Sequence, residues 1–410
     1  MFLIKRAYSN KTNIIIGLIT AISLSSFIYL EHYEIFSKLL NTFLALISFY
    51  LLLTINKKSF VIAGFFTGIL WFYWIGNSFQ YYDLAYLKYL VVIGIGLGYA
   101  LLFYFMTLIN KTWFRALTIF LVSFVHPMGF NWFVPELILV NSYLAFSKAH
   151  FALVLASIYI FIKANGIKKA ISIVPLIFII HNSGVYIDST GLKISMPQLN
   201  TSQDQKWQQQ NLAKTIDENL NLIDNAIKEE KDLIILPETV FPIVLNNEEF
   251  LLDSLLKRSQ YIDIVAGAIF SENNNYYNAT YHFKKGNLDI AKKVVLVPFG
   301  EEIPLPKFLV DFINEKLYDG AQDYKTADKP TDFDIQGISF RNAICYEATN
   351  EKIYQDLEDT KYMIVTSNNA WFTPSIEPTL QKILLKYYAK KYGITIFHST
   401  NGSKNYIVRP

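Results

Sequence analysis

The chain has 410 residues, 52% hydrophobic and 17% charged, a length that suggests two or three domains. Its net charge of +3, with no basic stripe interleaved with aromatics, excludes the charge signature of a nucleic-acid binder. A single cysteine, Cys345, excludes an internal disulfide and leaves that thiol as either inert filler or a reactive group.

Up to about residue 182 the chain is a series of apolar runs. Their lengths predict bilayer-spanning helices at 13–30, 35–55, 60–79, 89–109, 113–125, 150–163 and 167–180, the fifth and the last two being short. A large buried helical core is the alternative, but a soluble domain would not carry so many consecutive apolar segments. Lys5, Arg6 and Lys11 precede the first run. Lys57 and Lys58, then Lys111 and Arg115, then Lys163, Lys168 and Lys169 fall in every second loop. The positive-inside rule makes that side and the N-terminus cytoplasmic, and about seven spans put the rest of the chain outside. The first run has no small-residue cleavage site and is read as a span, not a signal peptide. Two aromatic segments stand out: Trp71 to Tyr82, and His126 to Pro135. Both read as interfacial belts, or, more sharply, as a lipid-facing wall beside a site.

From about residue 185 strand and helix signals alternate, as in an α/β layered domain. Strands are expected at 192–196, 232–236, 262–270, 276–284, 293–297, 338–344, 363–367 and 395–398. Helices are expected at 208–230, with Leu212, Ile216, Leu220, Ile223 and Ile227 on one face, and at 250–259 and 378–392. Three chemically useful groups fall at strand ends or starts: Glu238 after 232–236, Lys293 opening 293–297, and Cys345 after 338–344. A thiol needs a base to take its proton, and a cation stabilises the oxyanion formed when sulfur attacks a carbonyl. Singly these residues read as a loop carboxylate, a surface lysine beside Lys292 and a buried small apolar group. Together they fit acyl transfer through a thioester.

Pro237-Glu238, Lys293 ahead of Leu296-Val297-Pro298-Phe299-Gly300-Glu301, and Cys345-Tyr346-Glu347 resemble the nitrilase, or carbon-nitrogen hydrolase, superfamily. The particular words resemble its membrane branch, apolipoprotein N-acyltransferase. So do Gln198-Leu199-Asn200 with Lys206-Trp207, Asn369-Ala370-Trp371-Phe372 and Ser399-Thr400-Asn401-Gly402. The resemblance implies an α-helical transmembrane bundle over 1–184 and a periplasmic nitrilase-like α-β-β-α sandwich over 185–410, in the bacterial inner membrane. It implies N-acylation of the S-diacylglyceryl-cysteine of apolipoproteins from a phospholipid donor, with no cofactor or metal and a monomeric chain. Cys345 would be the nucleophile, Glu238 the base and Lys293 the oxyanion cation. Glu301, Tyr346 and Glu347 would support the site, and Trp207 and Trp371 would line or gate it. A membrane-tethered amidase with water as acceptor, or an idle lipid-binding protein, are the alternatives. The chain departs from the family pattern at Ala291, Val295 and 377–381, and no apolar run follows 406–410, as in a shorter version of the family.

Overall fold

The computed structural model of the chain describes residues 9–82, 84–180, 190–298, 300–302 and 324–410. Asp83, Phe299 and the expected domain boundary near 184 lie outside the described residues. Two compact units are present. One comprises Met1–Val125, Phe133–Gly184 and Pro374–Ile383; the other comprises His126–Trp132, Val185–Thr373 and Leu384–Pro410.

The first unit is helical: α1 (Asn10–His32), α2 (Lys38–Thr54), α3 (Lys57–Phe72), α4 (Lys88–Phe105), α5 (Thr112–Val122), α6 (Lys148–Lys163) and the short α7 (Ile173–Ile177). Side-chain caps start several of them. Ser9 Oγ accepts from Thr12 N, and Asn56 Oδ1 from Ser59 N. The stretches Asn10–His32, Lys57–Tyr81 and Ala85–Phe105 are long and apolar enough to cross a bilayer; α2 and α5 are shorter apolar helices. The run 167–180 is not one helix. A 3₁₀ stretch, Gly166–Ser172, leads into α7, where Pro175 lacks the N–H and the clearance that a longer α-helix needs.

The polarity of this unit is inverted relative to a soluble bundle. Leu90, Ile93, Leu97 and Leu101 form an exposed stripe along α4, while Thr20, Ser25, Ser48 and Thr67 are buried. Ser23 Oγ and Ser48 Oγ, 2.8 Å apart, join α1 to α2. A Cβ at Gly64 would stand 2.8 Å from the Tyr99 carbonyl, so this glycine lets α3 and α4 approach closely. An apolar exterior around backbones satisfied within helices marks an integral membrane domain. Three rings of the first aromatic segment, Trp71, Phe72 and Trp74, are core and not an interfacial belt. Trp71 and Phe72 are fully buried, and Trp71 Nε1 donates to Ser25 Oγ at 3.1 Å. Periodicity alone does not separate a ring facing lipid from one facing other helices.

The second unit is built on two sheets. The first contains β1 (Ile194–Ser195), β2 (Leu233–Ile235), β3 (Phe241–Val244), β4 (Asp263–Glu272), β5 (Asn275–Lys284) and β6 (Asn287–Lys292), in the order β1-β2-β4-β5-β6 with β3 also on β4. The second contains β7 (Asp332–Ile335), β8 (Ile338–Ile344), β9 (Tyr362–Asn368), β10 (Thr395–Asn401) and β11 (Tyr406–Val408), in the order β11-β10-β9-β8-β7. β8, β9 and β10 run parallel, as do β1, β2 and β4.

The two-residue period of a strand divides the core. Ile234, Ile264 and Phe283 pack with Ile223 and Leu255 of helices α8 (Gln209–Lys228) and α9 (Glu249–Arg258). Their neighbours Leu233, Ile235 and Val265 turn the other way, onto Phe340, Ile364 and Phe397 of the second sheet. The outer layer contains Tyr354, stacked on Tyr388 and Tyr392 of the helix Glu377–Tyr392 at 5.0 and 4.6 Å. The order is helix, sheet, sheet, helix. Parallel strands from both sheets end at one edge, and the candidate residues fall there.

Candidate active site

Glu238 follows β2 in a turn laid over β4. A Cβ at Gly267 would stand 2.7 Å from Glu238 Cα and 2.5 Å from Thr239 N, so only glycine permits that crossing. Thr239 itself has φ +46°. Inside the turn, Lys206 Nζ donates to the Glu238 carbonyl at 3.0 Å and to Thr239 Oγ1 at 2.7 Å. The carboxylate is held from two strands. Asn278 Nδ2 of β5 donates to Oε1 at 2.8 Å, and the backbone N–H of Asn368, ending β9, donates to Oε2 at 2.8 Å.

Lys293 is fully buried just beyond β6, with its N–H donated to the Asn278 carbonyl at 2.9 Å. Its Nζ lies 2.6 Å from Glu301 Oε2, 2.9 Å from Oε1 and 3.8 Å from Glu238 Oε1. Asn278 Nδ2 also donates to Glu301 Oε1 at 3.0 Å, so one amide spans both carboxylates. The adjacent Lys292 points the opposite way and pairs with Glu272 at 2.7 Å over Phe270 and Tyr277. The alternation of the strand therefore separates the surface lysine from the site lysine.

The expected strand 293–297 is corrected: β6 ends at Lys292. Its would-be ladder donors are used elsewhere. Glu347 Oε2 accepts from Val294 N at 2.7 Å and Val295 N at 3.0 Å, and Glu301 Oε2 accepts from Val297 N at 2.9 Å. Glu347 Oε1 accepts from Ile344 N at 2.8 Å. Glu347 thus ties the turn carrying Cys345 to the segment carrying Lys293.

Cys345 follows β8, is half-buried, and starts the 3₁₀ turn Cys345–Thr349 at φ +55°. A non-glycine residue in that region costs about 1–3 kcal/mol and persists only where its surroundings enforce it. Glu238 and Cys345 thus each sit at a strained turn at the end of a strand.

Charge binds these groups together. Burial works against the Lys293 cation, but Glu301, Glu238, Cys345 and Glu347 outweigh it and hold the ammonium above the ordinary lysine range. Burial pulls Lys206 down to about 7, against the charges of Glu238 and Cys345. Burial pushes Glu347 up to about 7, against Lys293 and the three amides it accepts from. His398, buried on β10 beside Ser367, is pushed down to about 3 and stays neutral. Among the described residues no group of three or more His, Cys, Asp or Glu side chains is gathered as metal ligands would be.

Tyr346 bonds backbone groups of the segment 126–132. Its hydroxyl donates to the Gly129 carbonyl at 2.9 Å and accepts from Asn131 N at 3.2 Å. Phe130 and Trp132 stack on its ring at 6.2 and 6.0 Å. Burial raises its phenol above the usual range. The segment 126–132 therefore packs on the cysteine turn. Trp207 closes the short helix Gln203–Lys206 and is 44% exposed, directly after Lys206. Trp371 is half-buried in the turn after β9, three residues beyond Asn368. Glu238, Lys293, Glu301, Cys345 and Glu347 form one cluster; the two tryptophans are joined to it through their chain neighbours.

Sequence reasoning assigned no role to Lys206, Asn278 or Asn368. Asn278, a buried amide within the strand Tyr276-Tyr277-Asn278-Ala279-Thr280, was the available signal. The words near residues 369 and 401 act as scaffold. Asn401 Nδ2 donates to Asn368 Oδ1 at 2.9 Å and Asn368 Nδ2 to Gln203 Oε1 at 2.9 Å, which fixes the amide that holds Glu238.

Both halves of the chain are similar to known proteins. The apolipoprotein N-acyltransferase integral membrane domain matches residues 11–182, and the carbon-nitrogen hydrolase family matches residues 193–401. The apolipoprotein N-acyltransferase of Wolinella succinogenes is 43% identical over 96% of this chain and 95% of its own. That of Helicobacter hepaticus is 39% identical over 93% and 96%, and that of Campylobacter jejuni 37% identical over 95% and 88%. With both halves matched and similarity running nearly end to end, the chain belongs to the apolipoprotein N-acyltransferase family.

Proposed function

We propose that this protein transfers an acyl chain from a phospholipid to the α-amino group of the S-diacylglyceryl-cysteine that begins a bacterial apolipoprotein. The observation that carries the reading is the convergence of Glu238, Asn278, Lys293 and Glu301 in one bonded cluster, with the turn of Cys345 tied to the Lys293 segment through Glu347. Glu238 takes the thiol proton, and the sulfur of Cys345 attacks an ester carbonyl of the phospholipid. Lys293 faces the oxyanion of the tetrahedral intermediate. Collapse breaks the ester bond, and the departing lysophospholipid oxygen recovers the proton from Glu238. The lipoprotein amine then attacks the thioester, gives its proton to Glu238 and forms the amide as sulfur leaves and is reprotonated. Glu301 and Glu347 are positioning residues that hold Lys293 and the cysteine turn. Trp207 and Trp371 border the lipid path. No cofactor takes part, and the chain acts as a monomer.

The domain reading is a membrane bundle over 1–184 and a catalytic domain over 185–410 that faces the periplasm from the inner membrane. Loop charge supports it, since Lys57, Lys58, Lys111 and Arg115 share one end of the helical unit. In a Cys345→Ala background, single cysteines beside Lys57 and Lys168 are expected to escape an impermeant thiol reagent added to intact cells. Labelling there would reverse the orientation.

The function is tested with purified protein, phospholipid and a diacylglyceryl lipopeptide. The expected product is N-acylated lipopeptide plus lysophospholipid, read by mass spectrometry. Free fatty acid with no acylated peptide would give the site to hydrolysis, with water in place of the amine.

A further inference from the structure

One end of the helical unit holds a cavity of about 570 Å³ that no step of acyl transfer uses. Its polar wall is Asn56, Lys57, Asn110, Lys111, Thr112 and Arg115. Helix α3 begins at Lys57 and α5 at Thr112, so two helix N-termini of positive polarity border the cavity. Asn56 caps α3, whereas no side-chain cap bond occupies the start of α5. Among the described residues no acid lines the space. The sequence before residue 136 contains only Glu31, Glu34 and Asp83 as acids, none within 20 residues of Asn56–Lys57 or Asn110–Arg115.

Arg115 is the notable group. It is 4% exposed, and its guanidinium donates to the Ile55 carbonyl and, at 3.5 Å, to Asn110 Oδ1. Among the described residues it meets no carboxylate, and neither do Lys57 and Lys111. Aromatic faces hold two of these cations instead: Arg115 lies over Phe60 at 5.1 Å and Lys57 over Tyr104 at 4.2 Å. A buried cation within a membrane domain is costly unless an anion or a polar cavity meets it. The cavity is large enough for a phospholipid headgroup. Ile16 reaches its edge, and Ile15 and Ile19 continue as exposed apolar surface along α1.

We propose that this cavity binds the phosphate headgroup of an anionic phospholipid, with the acyl chains laid along the apolar face of α1. Three cations without an acid favour a headgroup of net negative charge. The ammonium of a zwitterionic headgroup would meet Lys57 and Lys111 and be repelled. The cavity shares no lining residue with the acyl-transfer cluster, and its assignment does not depend on the acyl-transfer reading.

The test uses the full chain in neutral detergent, titrated with phosphatidylglycerol or phosphatidylcholine, with bound lipid counted by native mass spectrometry. The intact protein is expected to retain phosphatidylglycerol in preference. Lys57→Gln with Lys111→Gln is expected to lower that retention roughly twenty-five-fold, since each near-surface cation contributes on the order of a fivefold change. Arg115 is left in place because it is packed, and Lys57→Gln alone serves if the double variant unfolds. Equal retention of both lipids by the intact protein, or an undiminished preference in the variants, overturns the proposal. Full displacement of phosphatidylglycerol by millimolar inorganic phosphate would make this a free-phosphate site and remove the lipid assignment.

Discussion

Replacing Cys345 with alanine is expected to remove the acyl adduct and to lower transfer by at least roughly a thousandfold, the scale on which loss of a covalent nucleophile acts. The chain has no second thiol to take its place. Its position is also costly to build, at φ +55° with Glu347 bonding the amide on one side and two amides of another segment on the other. Alanine carries the same Cβ as cysteine, so the strain at this turn is unchanged and the variant should fold as the parent does. Loss of activity with an unchanged unfolding transition therefore reports chemistry. The measurement is intact-protein mass after exposure to phospholipid, followed by peptide mapping. An adduct that persists in Cys345→Ala, or that maps elsewhere in the parent, would defeat the thioester mechanism.

The sequence made Glu238 and Cys345 legible because each stands where a short apolar strand gives way to polar residues. Lys293 was legible through the words around it, but its local structure was not. Val294 and Val295 look like a strand, yet their amides are taken by a carboxylate over 50 positions away. No local pattern reports such a bond. Within the membrane half, apolar runs gave helix positions well, but not which ring faces lipid; Trp71 and Phe72 are core. The segment 126–135 reads in sequence as an aromatic belt, whereas Gly129 and Asn131 within it bond the Tyr346 hydroxyl. Asn278 was overlooked because a single amide in a strand carries no period, although it bridges the two carboxylates.

Lys293→Met should lose both chemistry and stability, and the two losses have one origin. Lys293 lies between Glu238 and Glu301, and the same Asn278 amide serves both acids. Without the ammonium, two buried carboxylates face each other with one shared donor between them. Removing one partner of a buried ion pair typically costs about 3–5 kcal/mol, because the remaining charge is left uncompensated. Part of that cost is relieved if one carboxylate takes up a proton in the folded variant. Such a group binds more protons folded than unfolded, so its stability contribution is full at acidic pH and falls as pH rises. The deficit of Lys293→Met relative to the parent should therefore be small near pH 4 and largest at neutral pH, read as unfolding temperature across that range. Acylation measured below the unfolding temperature should still fall by roughly a hundredfold or more, the scale of losing a principal oxyanion donor. A variant that unfolds more easily yet acylates Cys345 at the parent rate would make Lys293 a structural counter-ion and leave the oxyanion to the backbone amide after the cysteine.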